Sequence, residues 1–433
     1  MGITYKKIAL YYLLLSFFFG VISAILKGQS IVLYGDILIV SLVFVTLFTK
    51  KLYRGSTQLI ALIILALLGM LGIFRYGFNL DTFGIFFLSR GFFVFLVTIL
   101  FFIYTFLKLD NDELIKVDLF IENVIKLNIL AILVEGIAVN YFGLQSYLFE
   151  IFSSADYRIN PNPVFFDFVP NGLVFGRQNA SIISVIGVLL WFPWNKDRRR
   201  GIWQYYWLFA SGVSWALTIT TTSILCFIIP LLFITYSGLV KKRRLIWIIF
   251  SSLIIFGAIS YYQYFIFMRY QSSVLRINSI ELFIEGYYSI FTEPIDQIKR
   301  NSWEFFMGTG QLLEKNNKYS IIFSSLESFE LGLLTIAIKY GAILVGITLV
   351  FFLTHIFRLL RFFRESIVSE VEKNIIFRSF CITLPLIVSL IHYTTLFKPG
   401  IVQLMAAAIA LPYALRKKKE KNRRILNLHL ASN

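Results

Sequence analysis

The stretch Asn195-Lys196-Asp197-Arg198-Arg199-Arg200 sets the orientation of this chain. It closes an apolar run at about 179–194 and is followed by a second apolar run at about 202–218. Lys and Arg in short loops beside membrane spans stay in the cytoplasm. When the chain is cut into spans, the clusters Lys241–Arg244 and Arg416–Lys419 fall on this same side. The basic clusters therefore predict one consistent topology.

The composition predicts an all-α, polytopic integral membrane protein. Hydrophobic residues make up 58% of the 433 residues and charged residues 15%, whereas a soluble chain carries about 25% charged residues. A helical span needs about 20 apolar residues. The sequence predicts about twelve transmembrane helices in a single transmembrane domain over residues 1–433, at about 8–26, 31–49, 58–75, 84–107, 118–142, 179–194, 202–218, 222–239, 245–265, 330–354, 375–393 and 399–415.

An even number of spans places both termini in the cytoplasm of a multi-pass plasma membrane protein. Lys6 and Lys7 precede a first apolar run of span length, which indicates an anchored helix rather than a cleaved signal. Two long extracytoplasmic loops follow, at 143–178 and 266–328, and residues 416–433 form a cytoplasmic basic tail that we expect to be a solvated anchor. The inner loop at about 355–374 fits either an amphipathic helix on the membrane surface or an extension of the preceding span.

The net charge of +17 is explained by topology and by contact with anionic lipid, so we expect no nucleic-acid partner. Cys226 and Cys381 fall inside apolar runs and have no disulfide or metal spacing. With only three histidines in the chain, a histidine metal cluster is not expected. The sequence predicts no metal site and no cofactor.

The two outer loops carry most of the residues that could do chemistry. In the first, Asn160 to Pro163 predicts irregular backbone, and Gly176-Arg177-Gln178-Asn179 opens the sixth span. In the second, Arg276 to Phe291 has apolar residues at helical spacing and predicts an amphipathic helix that ends at Pro294. The turn Gly308-Thr309-Gly310 follows, and by itself it is no phosphate-binding loop because no Lys-Ser/Thr comes after it.

Arginines at the outer boundary of the membrane fit a lipid-linked pyrophosphate. A guanidinium offers a planar fork of donors that matches phosphate oxygens two at a time. The alternative is that each arginine pairs with a lipid phosphate or a nearby acid. The candidates are Arg158, Arg177, Arg269 and Arg276.

Charged residues within the predicted spans have two interpretations. Arg90 faces either a ligand or an internal partner, with Asp36 and Glu135 as candidate partners, because a charge at this depth is costly. Lys339 and Arg378 lie nearer span ends, where long side chains reach the interface.

Glu327 and Glu330 stand where the second outer loop re-enters the membrane. A carboxylate there can accept a proton from a sugar hydroxyl as general base, or it can stabilise the start of the tenth helix. Trp303, with its aromatic neighbours, fits stacking on sugar rings or an interfacial aromatic belt.

Together these features resemble the bacterial O-antigen polymerase and ligase superfamily. The resemblance covers roughly 150–345 by motif and most of the chain by topology. The motifs, in chain order, are Gly176-Arg177-Gln178-Asn179, the Thr/Ser-rich helix start at Thr218–Ser223, Arg276, the stretch ending near Pro294, Gly308-x-Gly310, Glu327 with Glu330, and Tyr340-Gly341. Members of the ligase branch carry a functional His in the second outer loop, whereas this chain has no His between 143 and 330. The resemblance is therefore to the polymerase branch.

The resemblance implies metal-independent glycosyl transfer at the outer face of the bacterial plasma membrane. A glycan on undecaprenyl pyrophosphate would pass to a lipid-linked repeat unit, giving lipopolysaccharide or capsule, with a chain-length regulator as a partner. The resemblance implies that four arginines bind the pyrophosphates with Arg90 beneath them, and that a glutamate lies near the acceptor hydroxyl. The implied residues are Arg90, Arg158, Arg177, Arg269 and Arg276 for pyrophosphate, Glu327 or Glu330 with Arg276 for catalysis, and Asn179, Trp303, Gly308 and Gly310 for the sugars and their loop.

Other classes of protein remain open. A flippase or secondary transporter places its site at mid-membrane between repeats, whereas here polar residues concentrate in two outer loops. A metal-dependent glycosyltransferase of the mannosyltransferase type carries acidic residues in a long loop after its first span, which here is only about Lys27 to Ser30. A structural membrane protein that assembles others, and an O-antigen ligase, are the remaining alternatives.

Overall fold

Helices dominate the computed structural model of this chain. It describes residues 2–25, 91–151, 160–161, 168–174, 176–192, 194, 201–237, 302–307, 333, 337, 341–365, 368–390 and 400–432. Helices account for 87% of these residues, which confirms the predicted all-α class. The elements, numbered here in chain order, are α1 Gly2–Ile25, α2 Gly91–Lys108, α3 Asn111–Asn140, α4 Gln145–Ile151, β1 Asn160–Pro161, β2 Phe168–Val169, α5 Arg177–Trp191, α6 Ile202–Thr218, α7 Thr221–Tyr236, α8 Ser302–Met307, α9 Ala342–Phe363, α10 Glu370–Ser389 and α11 Ile401–Ser432.

One helix in the described part of the chain is both long and apolar enough to cross a membrane, namely Ala342–Phe363, and two shorter apolar helices are Phe95–Lys108 and Thr222–Tyr236. Each predicted span that the structure describes in part or in full contains a helix. The spans predicted at 31–49, 58–75 and 245–265 lie outside the described residues.

The helices pack around one apolar core. Helix α5 lies against α3, α6, α7 and α10, and α11 lies against α2, α10 and α1. Gln403 of α11 donates a hydrogen bond to the hydroxyl of Tyr12 in α1 over 2.8 Å, so a buried polar contact joins the first and last described helices. Side chains that are fully buried in this core include Phe17, Phe102, Phe380 and Trp194.

Several helix starts follow from local capping chemistry. Asp110, Thr220 and Ser369 each accept a hydrogen bond from the backbone N–H three residues on, and the side chain at that third position bonds back to the cap. This reciprocal pattern satisfies backbone donors that a helix start leaves unpaired. It also explains why α7 can begin only two residues after α6 ends, with Ile219 and Thr220 between them.

Three boundaries differ from the predicted ones. Gly341 has φ +94° and forms the N-cap of α9, so the predicted span 330–354 is interrupted there, because a residue in this conformation cannot continue a helix. Helix α9 continues to Phe363, which favours the helix-extension interpretation of the inner loop.

The third difference concerns the basic tail. Helix α11 does not end near 415 but continues to Ser432, and Arg416 is 6% exposed. The expectation of a solvated tail is wrong at its start, because Arg416 packs over the ring of Tyr413 one turn earlier in the same helix.

The first predicted outer loop has local structure that the sequence analysis did not predict. It contains α4, and β1 pairs antiparallel with β2. The described part of the second outer loop is the short helix α8. The amphipathic helix predicted over Arg276 to Phe291 lies outside the described residues.

Candidate functional site

A non-helical segment, described at residues 168–174 and 176, leads into helix α5 at one end of the bundle. The side chain of Asn140, at the end of α3, clamps Phe168 by accepting from its backbone N–H at 2.8 Å and donating to its carbonyl at 3.0 Å. The following residues Val169, Pro170, Asn171 and Gly172 are buried. Non-helical backbone buried in this way needs partners for its polar groups.

Glu135 supplies those partners. Its carboxylate accepts the backbone N–H of Asn171 at 3.0 Å and that of Gly172 at 2.7 Å. Hydrogen bonds from backbone N–H groups to a carboxylate are charge-assisted and strong. Glu135, which stands within a predicted span, therefore holds the returning loop against α3.

Gly172 fits where no other residue would. Its φ is +67°, and a Cβ there would lie 2.7 Å from Cγ1 of Ile132. L-residues rarely adopt this backbone conformation, and the contact is too short for a carbon pair. The path of the segment past α3 depends on both properties.

Arg177 is the first residue of α5 and is half-buried. Its Nη2 donates to the carbonyl of Ile219 at 2.8 Å, in the connection where Thr220 caps α7. The arginine thus joins the start of α5 to the α6–α7 turn, and the carbonyl of Ile219 fixes one edge of the guanidinium.

Asn179 lies inside the bundle. It is 4% exposed, and its amide donates to the carbonyl of Val174 at 3.4 Å. In this structure the side chain supports the irregular segment from within, while its predicted contact with a sugar stays a prediction.

Trp303 lies on the outer face of the short helix α8. Its side chain is 64% exposed, whereas the neighbouring Phe305 packs against the core. This geometry leaves an indole face open, which suits either stacking on a sugar or an interfacial aromatic role.

Most of the predicted site falls on residues outside the described part of the chain. These are Arg90, Arg158, Arg269, Arg276, Gly308, Gly310, Glu327 and Glu330. Their predicted roles therefore stay predictions.

A second polar cluster lies at the opposite end of α3 and has a structural role. Arg378 of α10 bonds to Asp118 at 2.6 Å and to Glu122 at 3.0 Å. Glu122 also pairs with Lys126 at 2.9 Å and accepts from the indole of Trp191 at 3.4 Å. Arg378 was interpreted either as a cation that faces a ligand or as a side chain that reaches the interface, and here it forms ion pairs with two acids of α3.

The interactions that shape the approach to Arg177 were not predicted from the sequence. Asn140 gave no signal, because an asparagine near a span end is ordinary. Glu135 did give one, since an acid within a predicted span is costly and needs donors, but its actual donors are backbone groups that only the returning loop brings near.

No metal-binding arrangement occurs within the described ranges, where no three His, Cys, Asp or Glu side chains come together. The acids of the second outer loop lie outside those ranges, and the expectation of a metal-independent reaction stays a prediction. Comparisons of the chain with protein-family models, with curated proteins and with solved structures found no match.

Proposed function

We propose that this chain is a polysaccharide repeat-unit polymerase of the bacterial plasma membrane, acting in O-antigen or capsule synthesis. It would be a polytopic protein of about twelve transmembrane helices and two long extracytoplasmic loops. Its substrates are glycans linked to undecaprenyl pyrophosphate, and the lipid bilayer and a chain-length regulator are its partners. The proposal rests on the motif resemblance and on the setting of Arg177.

The observation that carries the proposal is the way Arg177 is held. The segment before it is fixed by Glu135 and Asn140, and the Ile219 carbonyl orients its guanidinium. A preorganised cation stabilises charge that develops in a transition state at little cost in reorganisation. Arg177 is therefore suited to bind a diphosphate whose negative charge grows as it departs.

Contacts between helices support the proposed topology. Lys6 pairs with Glu113 and Lys419 pairs with Glu372, and all four residues belong to segments predicted to be cytoplasmic. At the opposite end, Arg177 bonds to Ile219, and both flank segments predicted to be outside. A wrong order of spans would bring opposite ends together in some of these pairs.

The proposed reaction transfers a glycosyl group. The acceptor hydroxyl oxygen attacks the anomeric carbon and forms the new C–O bond, while the bond from that carbon to the pyrophosphate oxygen breaks. Its electron pair leaves with undecaprenyl pyrophosphate, and the hydroxyl proton passes to Glu327 or Glu330 as general base. Arg158, Arg177, Arg269 and Arg276 bind the pyrophosphates, with Arg90 beneath them, and Trp303 stacks on a sugar.

The first prediction tests the arginines in purified full-length protein supplied with lipid-linked repeat units. We expect Arg177→Ala or Arg276→Ala to lower the rate of chain growth about 10²- to 10³-fold, the usual effect of removing one donor to a developing anion. Polymer length on gels is the readout. Lys116→Ala, a change at an exposed residue of α3, is the control and keeps normal polymer.

Arg177→Ala also removes the bond to Ile219, so folding is followed by the melting temperature of each variant. Arg177→Lys keeps the charge and a donor but loses the planar fork, and we expect folded protein with slow chain growth. Normal-length polymer from both alanine variants would contradict the assigned roles.

The same assay separates the alternatives. Chain growth by the purified protein alone excludes a pure flippase or secondary transporter, whereas movement of the lipid-linked unit without growth supports one. Loss of activity on adding a chelator would favour a metal-dependent transferase. Transfer to lipid A core without extension of the chain would favour a ligase.

A further inference from the structure

A basic cavity lies between the C-terminal end of α9 and the middle of α11. Its volume is about 290 Å³. It is lined by five cationic side chains, two acidic ones and one aromatic ring, namely Arg358, Arg361, Arg416, Lys417, Lys419, Glu365, Glu420 and Phe362. The lining therefore has an excess of positive charge. None of the lining residues is among those implied in glycosyl transfer.

Three of the five cations that line this cavity form ion pairs with acids. Glu420 pairs with Arg416 at 3.2 Å and with Lys417 at 2.9 Å, and Lys419 pairs with Glu372 at 2.9 Å. Arg358 and Arg361 are exposed and, among the described residues, form no ion pair. These two guanidinium groups supply the donors that an incoming anion would use.

Two buried aromatic rings adjoin the lining residue Arg416. The guanidinium of Arg416 lies 5.6 Å from the ring centre of Tyr413, and that ring lies 6.2 Å from the imidazole of His355. His355 is 3% exposed, and within the described part of the chain its Nε2 has no hydrogen-bond partner. Burial lowers the pKa of Arg416, the negative charge of Glu420 partly offsets this lowering, and repulsion from the positive charge of Arg358 adds to it. An anion bound here would relieve that repulsion.

An exposed apolar face of α9 leads to the cavity. Its members recur at helical spacing and are each 48% to 63% exposed, namely Ile343, Ile347, Val350, Leu353 and Phe357. Arg361 lies one turn beyond Phe357, and 18 residues separate it from Ile343, which at 3.6 residues per turn is five full turns. The apolar face and the exposed arginine thus lie on one side of the helix.

We propose that the cavity binds the phosphate-bearing headgroup of an anionic phospholipid, whose acyl chain lies along the apolar face of α9. Basic pockets at helix ends bind anionic headgroups, and an arginine fork fits the phosphate. A free phosphate ion would use the same cations but would gain nothing from the apolar face. The proposal is independent of the proposed glycosyl transfer.

The test is native mass spectrometry of the full chain in detergent, titrated with phosphatidylglycerol and with phosphatidylcholine as the neutral reference. We expect the wild-type protein to retain phosphatidylglycerol more strongly. The double variant Arg358→Gln/Arg361→Gln should lose about tenfold in its affinity for phosphatidylglycerol, which corresponds to about 1.4 kcal/mol for the two exposed contacts together. Affinity for phosphatidylcholine should stay unchanged.

A control variant removes the same charge elsewhere. Lys7 and Lys116 are exposed and lie outside the cavity, so Lys7→Gln/Lys116→Gln should keep the wild-type affinity. A third variant, Glu365→Gln, removes an acid from the lining and should raise the affinity for phosphatidylglycerol about threefold. Misfolding cannot explain such a gain in affinity.

A second arm tests inorganic phosphate as the competitor. Under the proposal, millimolar phosphate does not displace phosphatidylglycerol. Equal losses in the cavity and control variants would overturn the proposal, because they show only general attraction to charge. It would also be overturned if phosphate bound with the same dependence on Arg358 and Arg361 while phosphatidylglycerol did not, because the site would then take a soluble anion.

Discussion

At the scale of single residues, Glu135 and Gly172 explain how irregular backbone is stable among helices. The carboxylate supplies acceptors to two consecutive N–H groups, and the glycine allows the backbone to pass close to Ile132. An unpaired backbone donor buried among apolar side chains costs about 1–3 kcal/mol, so the acid offsets most of the cost of burying this turn. Arg177, the arginine predicted to bind phosphate, begins the helix that follows this segment.

The residue-scale prediction concerns Gly172. Gly172→Ala places a methyl group against Ile132 in a backbone conformation that alanine disfavours, so we expect the free energy of unfolding to fall by about 1–3 kcal/mol. Gly212→Ala is the matched control: no atom lies within 4 Å of the added methyl group, and its helical setting predicts a neutral or slightly stabilising change. Thermal melts in detergent measure the stability of both variants. Equal melting temperatures would contradict the proposed role of Gly172.

At the scale of helices, charged groups join elements that are distant in sequence. Asp118 and Glu122 lie one turn apart on α3, so both reach Arg378 of α10. Asp118 is 7% exposed. Breaking a buried pair costs more than the pair contributes, because an uncompensated charge stays behind.

A double-mutant cycle tests this cluster. We expect Arg378→Gln to lower the free energy of unfolding by about 2–3 kcal/mol, since it leaves two carboxylates without their partner. Asp118→Asn combined with Arg378→Gln should cost less than the sum of the single changes, with a coupling of about 1–3 kcal/mol. Strict additivity in chemical or thermal unfolding would show that the two residues do not interact.

A pH-dependent contact joins α10 and α11. Burial raises the pKa of Glu372, but hydrogen bonds from Lys419 and Ser369 outweigh burial and hold that pKa below its usual value. A carboxyl whose folded pKa is depressed contributes stability above its usual pKa, and this contribution is lost as the pH falls through the folded value.

Glu372→Gln should therefore be less stable than the wild type at pH 7. The difference in melting temperature should shrink only below about pH 4.3, the usual glutamate pKa, as the wild-type carboxylate becomes protonated. Lys373→Gln, which removes the exposed pair with Glu370, serves as a comparison with little effect at either pH. If the difference in melting temperature between Glu372→Gln and the wild type stayed constant from pH 7 to below about pH 4.3, the contact of Glu372 with Lys419 would not be its source.

At the scale of the whole molecule, the contacts sort into two ends. Polar pairs that involve the basic segments lie at one end, and the Asn140 and Arg177 contacts lie at the other. The proposed topology predicts this division, because the positive-inside rule keeps basic segments on one side of the membrane.

Cysteine labelling in intact cells tests the orientation. Tyr147→Cys places an exposed thiol in the first predicted outer loop, and Lys116→Cys places one in a predicted inner segment. We expect an impermeant maleimide to label the first only, and both after the cells are broken. Cys226 and Cys381 are buried and should contribute little background; labelling of Lys116→Cys from outside would overturn the proposed topology.

By itself the sequence determined the all-α class and the approximate positions of the long helices that the structure describes. Apolar runs and basic clusters are local in the chain, and both act on each segment separately. Breaks such as the one at Gly341 were not predicted, because the apolar pattern continues across them. The predicted extent of α11 was too short, since Arg416 and Lys417 pair with Glu420 and Lys419 pairs with Glu372.

Only the tertiary structure decided what the polar residues inside those runs do. The sequence identified Arg177, Glu135 and Arg378 as notable, but each is bonded to a partner more than 35 residues away. Such pairings depend on which helices become neighbours, and hydropathy carries no information about neighbours. The same holds for the cavity of Arg358 and Arg361, which exists because the C-terminal end of α9 lies beside the middle of α11.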